Sequence, residues 1–188
     1  MFNSVTNIKM ESLTFSTYVN FTRLSVVKIL NSEAIVLKSL HFNGEKYSQA
    51  VTLDNSGMAI INCLFQSNSG DYGGAIEMTR AAVTVIDSTF IKNRAKYGGG
   101  AIKGSYSDVR ILEETIFNSN RAERGGGGAI YLSYSNVSFS GNITFAKNSA
   151  SLNGGGVYID ASLKIIVTAY THFIGNHAGD KGGGMFVS

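Results

Sequence analysis

The chain has 188 residues, a formal charge of +3, 44% apolar residues and one cysteine. That length fits one domain with a sizeable core, and so small a charge does not imply nucleic acid. Cys63 alone cannot make an intrachain disulfide framework, no run approaches the roughly 20 apolar residues of a membrane span, and the opening MFNSVTNIKMESLTF lacks the apolar stretch of a signal peptide.

Residues 1–56 keep a strand phase without a motif. Val5 to Phe15 reads as a degenerate coil, Ile35 and Leu37 alternate ahead of Phe42, and Met58 and Ile60 do the same ahead of Phe65. Between them, Ser48 to Leu53 fills a slot that later holds glycines. Over residues 57–188 two tetrapeptides recur in fixed order. F-x-x-N runs over Phe65–Asn68, Phe90–Asn93, Phe117–Asn120, Phe145–Asn148 and Phe173–Asn176. G-G-[AVM]-[IYF] begins with the pairs Gly73 and Gly74, Gly99 and Gly100, Gly127 and Gly128, Gly155 and Gly156, and Gly183 and Gly184. The last four pairs open 28 residues apart. A constant period means stacked copies of one unit.

Each unit holds three strand-like stretches: the residues after the glycines, a pair of apolar residues around a variable one (Val83/Val85, Val109/Ile111, Val137/Phe139, Ile165/Val167), and the phenylalanine stretch. Period-2 alternation without helical periodicity gives an all-β chain. The expected fold is a single-stranded β-solenoid of about six coils with three short strands per coil, one domain over 1–188. Coils hydrogen-bonded about 4.8 Å apart stack like residues in columns. Phe and Ile then face inward. The motif asparagine is expected at a turn, in left-handed geometry and bridging to the next coil. The glycines supply positive φ or close backbone approach. Leucine-rich repeats place their asparagine after a leucine ladder, and calcium rolls need an aspartate every nine residues; neither pattern is present. The chain stops inside a repeat, so it reads as a piece of a longer protein.

F-x-x-N followed by G-G-A-I resembles the chlamydial polymorphic outer membrane protein repeat, over residues 57–188. The resemblance implies a right-handed parallel β-helix passenger domain, displayed at the cell surface (the outer membrane in a bacterium) and used in adhesion. The autotransporter barrel of chlamydial members has no counterpart in this sequence. The implied partner is a protein or glycan on a host or neighbouring cell. Any membrane attachment lies in parts of the chain not present.

Some β-helices are pectin-lyase-like polysaccharide lyases or hydrolases that use paired acids. Three residues before each phenylalanine stand Asn62, Asp87, Glu114, Asn142 and Tyr170, which makes Asp87 and Glu114 axial neighbours, or else a plain turn column. The coils lack the long insertions that build a cleft, so the leading reading is non-enzymatic: an adhesin-like or stalk module with no catalytic residue and no cofactor. His41 and His172 share a column but sit five coils apart, too far to share a metal. Lys92, Arg94, Lys96, Arg121, Arg124 and Lys147 fall between F-x-x-N and G-G on successive coils, interrupted by Glu123. They form either a cationic stripe for an acidic partner or an ordinary solvated edge. Tyr106 and Tyr134 occupy matching Ser-Tyr-Ser turns and should stack, with Arg80 below and Ser162 above; Tyr72 and Tyr97 make a second pair. Exposed rings suit sugar or protein contacts. Asn20, Asn136 and Asn142 lie in N-x-[ST] sequons.

Overall fold

A computed structural model describes the backbone of residues 2–3, 9–11 and 14–16, together with residues 27–188 except 45, 47, 162, 163 and 169. Val5, Asn20 and Ser162 lie outside the described residues. Among the described residues all regular structure is β, and all pairing is parallel between successive coils. The wall that follows the glycines has eight strands, among them Ile76–Thr79, Ile102–Ser105, Ile130–Ser133 and Val157–Asp160. The second wall has seven, including Ala82–Ile86, Asp108–Leu112 and Asn136–Ser140. The phenylalanine wall also has seven, including Thr89–Ile91, Ile116–Asn118 and Ile143–Ala146. The chain is a parallel β-solenoid.

Alternation along each strand sends one column inward and its neighbour outward. Phe42, Phe65, Phe90, Phe117 and Phe145 form a continuous buried stack, extended by the exposed Phe173 at the last coil, with centroids 4.7–5.0 Å apart and planes within 9° of parallel. The spacing follows from the coil rise, and each buried ring contributes roughly 1.5–3 kcal/mol by leaving water. Ile76, Ile102 and Ile130 line the first wall from inside, and Val83/Val85 and Val109/Ile111 line the second, all buried. Cys63 is buried too, and burial pushes its thiol pKa up.

Three expectations need correction. First, the regular coils carry a fourth short ladder in what reads as a loop: Ser69–Tyr72, Arg94–Gly98, Arg121–Ala122, Ser149–Ala150 and His177–Ala178. Ala95, Ala122 and Ala150 are small enough to turn inward there. Second, the motif asparagine does not take the left-handed conformation. The residue before it does: Ser67, Lys92, Ser119, Lys147 and Gly175 have φ of 53–59°. That single turn aims the asparagine inward, where its amide is needed. Third, the register moves by one in the last two repeats. Ile76, Ile102 and Ile130 continue to Val157 and Met185, so Gly156 and Gly184 take the place of Ala75, Ala101 and Ala129. Glycine triplets there hide a loop one residue shorter than the one after Asn120.

The two glycines of each pair are needed for different reasons. Gly73, Gly99, Gly127, Gly154 and Gly182 have φ of 55–67°. At Gly74, Gly100, Gly128 and Gly155 an added Cβ would collide with the carbonyl of the glycine in the next coil. These contacts hold the coils at the spacing that the stacks require.

Candidate functional site

The motif residues are consumed in building the coil. Asn68, Asn93, Asn120 and Asn148 are buried. Each donates Nδ2 to the Oδ1 of the next, at 2.9–3.0 Å, and its backbone N–H to the same oxygen. The second Nδ2 proton reaches the phenylalanine carbonyl of the preceding coil: Phe42 from Asn68, Phe65 from Asn93, Phe90 from Asn120, Phe117 from Asn148. The bridging role expected of asparagine holds, inside the solenoid. What remains free for a partner is therefore the outer columns.

The first outer column is basic. Arg94 and Arg121 are register partners on adjacent coils, followed by Ser149 and His177. Lys92, Arg94, Arg121, Arg124 and Lys147 are exposed and Lys96 is half-buried. Arg94 pairs with Glu123, and Lys96 lies 4.7 Å over the Tyr97 ring. Lys92, Arg121, Arg124 and Lys147 have no carboxylate partner among the described residues. A cavity of about 280 Å³ opens beside this column, lined by Lys46, Ser69, Gly70, Asp71, Arg94, Lys96 and Glu123. Tyr72 and Tyr97, on the same ladder, have rings tilted at 35°, and a register shift pairs Tyr72 with Gly98 instead of Tyr97.

The second outer column is aromatic. Tyr106 and Tyr134 stack at 5.2 Å and 8°, and are 61% and 57% exposed. Both are left-handed, with φ of 53° and 50°. The same turn is held by Asn31, Asn55 and Arg80 in earlier coils and by Ala161, not Ser162, in the next. Asn55 Nδ2 donates to Asn31 Oδ1, and Arg80 pairs with Asp54 at 2.6 Å. Left-handed geometry costs a non-glycine residue roughly 1–2 kcal/mol.

The acids do not form the expected pair. The turn column reads Asn62, Asp87, Glu113 and Gly141, because the next coil inserts a residue before Phe117. Asp87 therefore stacks on Glu113 and accepts a hydrogen bond from the Glu114 backbone N–H. All three acids are exposed at a turn. His41 and His172 do share a column, five coils apart. Among the described residues no three His, Cys, Asp or Glu gather as metal ligands. Of the sequons, Asn142 is exposed at a turn, whereas Asn136 is half-buried and donates to Asp108 at 2.7 Å.

Sequence reasoning passed over one polar centre. On the outer face of the first wall a column runs Thr52, Glu77, Lys103, Tyr131, Tyr158, Phe186. Lys103 is only 8% exposed. Its Nζ donates to Ser133 Oγ at 2.8 Å and lies 3.7 Å over the Tyr131 ring. The ring packs over Gly98, where a Cβ would meet it at 2.6 Å. Burial lowers the Lys103 pKa from 10.5 to about 8, against the opposing charges of Asp160 and Glu77. Burial first, then Asp160, pushes Tyr131 up to about 12, and burial likewise raises Glu77. A lysine beside a run of aromatic residues and one position after the core isoleucine was the available signal.

The pH consequence has a definite sign. Between pH 8 and 10.5 the unfolded chain keeps the Lys103 proton and the folded one has lost it, so stability rises with pH. Above pH 10 Tyr131 reverses this, since only the folded state keeps that proton up to about 12. The unfolding free energy of the wild type minus that of Lys103→Met, from urea denaturation, should rise by roughly 1 kcal/mol per pH unit from pH 8 to 10. A flat difference would contradict the buried ammonium.

Three stretches, residues 87–105, 114–133 and 136–160, match the model of a family described as the Chlamydia polymorphic membrane protein repeat. No curated protein matches the chain. Among solved structures the chain is similar to PfbA, a surface adhesin of Streptococcus pneumoniae, at 11% identity over 98% of this chain and 72% of that one, with a TM-score of 0.27. So low a score bears on neither fold nor function. The matched stretches fall inside the region of regular F-x-x-N and G-G coils, and over them the chain is similar to the Chlamydia polymorphic membrane protein repeat.

Proposed function

We propose that this chain is a segment of a surface-displayed, non-enzymatic β-solenoid that holds a partner on its outer turns. The observation that carries this reading is the division of labour around the coil. Phe90, Asn93, Gly99, Gly100 and Ile102 and their counterparts in the neighbouring inner coils are buried and spent on folding. The exposed residues that change between coils gather into a cationic column and an aromatic column. A rod of this kind is a stiff spacer whose ridges meet a neighbouring cell. The family match supports the membrane-associated setting. The charge of Lys92, Arg121, Arg124 and Lys147, without carboxylate partners, favours an acidic partner such as a sulfated glycan. Such a contact depends on salt.

The test is binding of the fluorescently labelled chain to cultured epithelial cells and to heparin beads. Arg94→Glu with Arg121→Glu should weaken both several-fold at low salt, with little change above about 0.5 M salt. Unchanged binding would dismiss the cationic column, and a folded chain that binds neither surface would leave only a spacer role. Release of reducing ends from a polysaccharide, abolished by Asp87→Asn, would overturn the non-enzymatic reading.

A further inference from the structure

The Tyr106/Tyr134 turns have no folding reason for their aromatic side chains. Asparagine is the residue best suited to a left-handed turn, and it holds this column at Asn31 and Asn55. Two successive coils instead place a large ring there and leave most of it in water. A bulky residue held at positive φ points toward function.

Beside the rings lies a shallow groove of about 400 Å³, lined by Arg80, Ala82, Tyr106, Asp108, Tyr134 and Asn136, with Ala81 and Ser107 at its base. The groove exists because Ala82 stands in register with Asp108 and Asn136 but carries only a methyl group. Asn136 Nδ2 donates to Asp108 Oδ1 at 2.7 Å. That bond leaves Asp108 Oδ2 unused, and Asn136 Oδ1 is buried with no partner among the described residues. Arg80 is held by Asp54, and no ring or cation stacks on the other face of Tyr106 among the described residues.

We infer that this groove is a binding subsite for a neutral glycan. A pyranose presents an apolar C–H face, which suits an exposed aromatic ring. Its hydroxyls are donors, and the groove offers an exposed acceptor at Asp108 Oδ2. Asp108 disfavours a phosphate or sulfate here, and Arg80, already paired, does not offset it. The ligand class thus differs from that of the cationic column. The site rests on the surface-binding reading only for its biological setting.

The experiment is an amide NMR titration of the chain with cellotetraose, chitotetraose and lacto-N-neotetraose. At least one should give saturable shifts confined to residues 80–82, 105–108 and 133–136, at ligand concentrations up to about 10 mM. The double variant Tyr106→Asn with Tyr134→Asn keeps the fold, because asparagine already serves this turn, and should weaken binding at least about tenfold. Asp108→Ala should weaken it as well. Three silent titrations, or shifts that survive the double variant, would overturn the site. So would loss of cell binding in the double variant without any sugar response in the wild type, which would mark a protein partner. Saturable sugar binding by a chain that fails to bind cells would uphold the site while the surface reading falls.

Discussion

Replacing Asn120 with alanine should destabilise the solenoid by about 4 kcal/mol, a very large effect for one residue. Asn120 is fully buried. Its Nδ2 donates to Phe90 O and Asn148 Oδ1, and its Oδ1 accepts from the backbone N–H and Nδ2 of Asn93, all at 3.0 Å. Alanine strands the Asn93 N–H and the Phe90 carbonyl and leaves a cavity beside the phenylalanine stack. Each stranded buried group costs about 1–3 kcal/mol. Asn120→Asp should be worse at neutral pH, since a carboxylate cannot donate to either acceptor and would be charged in a dry column. Burial would raise that carboxyl's pKa, so the deficit should shrink as pH falls toward 4. Urea denaturation followed by circular dichroism measures both. A loss below about 1 kcal/mol for alanine would show that the ladder adds little beyond a typical hydrogen bond.

Gly100→Ala should be at least as damaging. A Cβ there would press into the Gly128 carbonyl and come within 2.5 Å of the Arg121 nitrogen, both backbone atoms of the next coil. Relief requires the coils to part, which breaks the hydrogen bonds from Gly100 to Gly127 O at 3.0 Å and from Ala101 to Ala129 O at 2.8 Å. The expected result is loss of the cooperative transition, or a deficit above about 4 kcal/mol. Gly175→Lys is the control. Gly175 has positive φ, at 59°, which Gly100 does not, and its Cβ would meet nothing nearer than Lys147 Cγ at 4.0 Å. Lys92 and Lys147 already occupy that column, so the change should cost only about 1–2 kcal/mol. Equal damage at both positions would contradict the division between coil contact and turn geometry.

The repeat period made the interior legible. Once Phe65, Phe90 and Phe117 fall at one phase, stacking follows from the coil rise, and Ile102 and Val109 follow from alternation. One-residue details were not legible. The left-handed preference of asparagine is a weak local tendency, and it lost to the burial of the Asn93 and Asn120 amides. Glycine triplets carry no side chain to mark register, so Val157 read as an alanine-slot residue. The extra residue before Phe117 moved Glu113 into the Asp87 column and put Glu114 outside it. Lys103 was passed over because its burial comes from Tyr131 of the next coil, whose ring packs over Gly98. Glu123 read as an interruption in a basic stripe, whereas it neutralises Arg94.

These particulars place the recurring tetrapeptides inside the solenoid and the columns that vary on its outer face. The most direct test is hydrogen exchange of the asparagine side-chain amides by NMR. The Nδ2 protons of Asn93, Asn120 and Asn148 should exchange orders of magnitude more slowly than those of exposed Asn142, and their slowing should disappear together when the chain unfolds. Exchange of the three at the rate of Asn142 would place the motif at the surface and contradict the account.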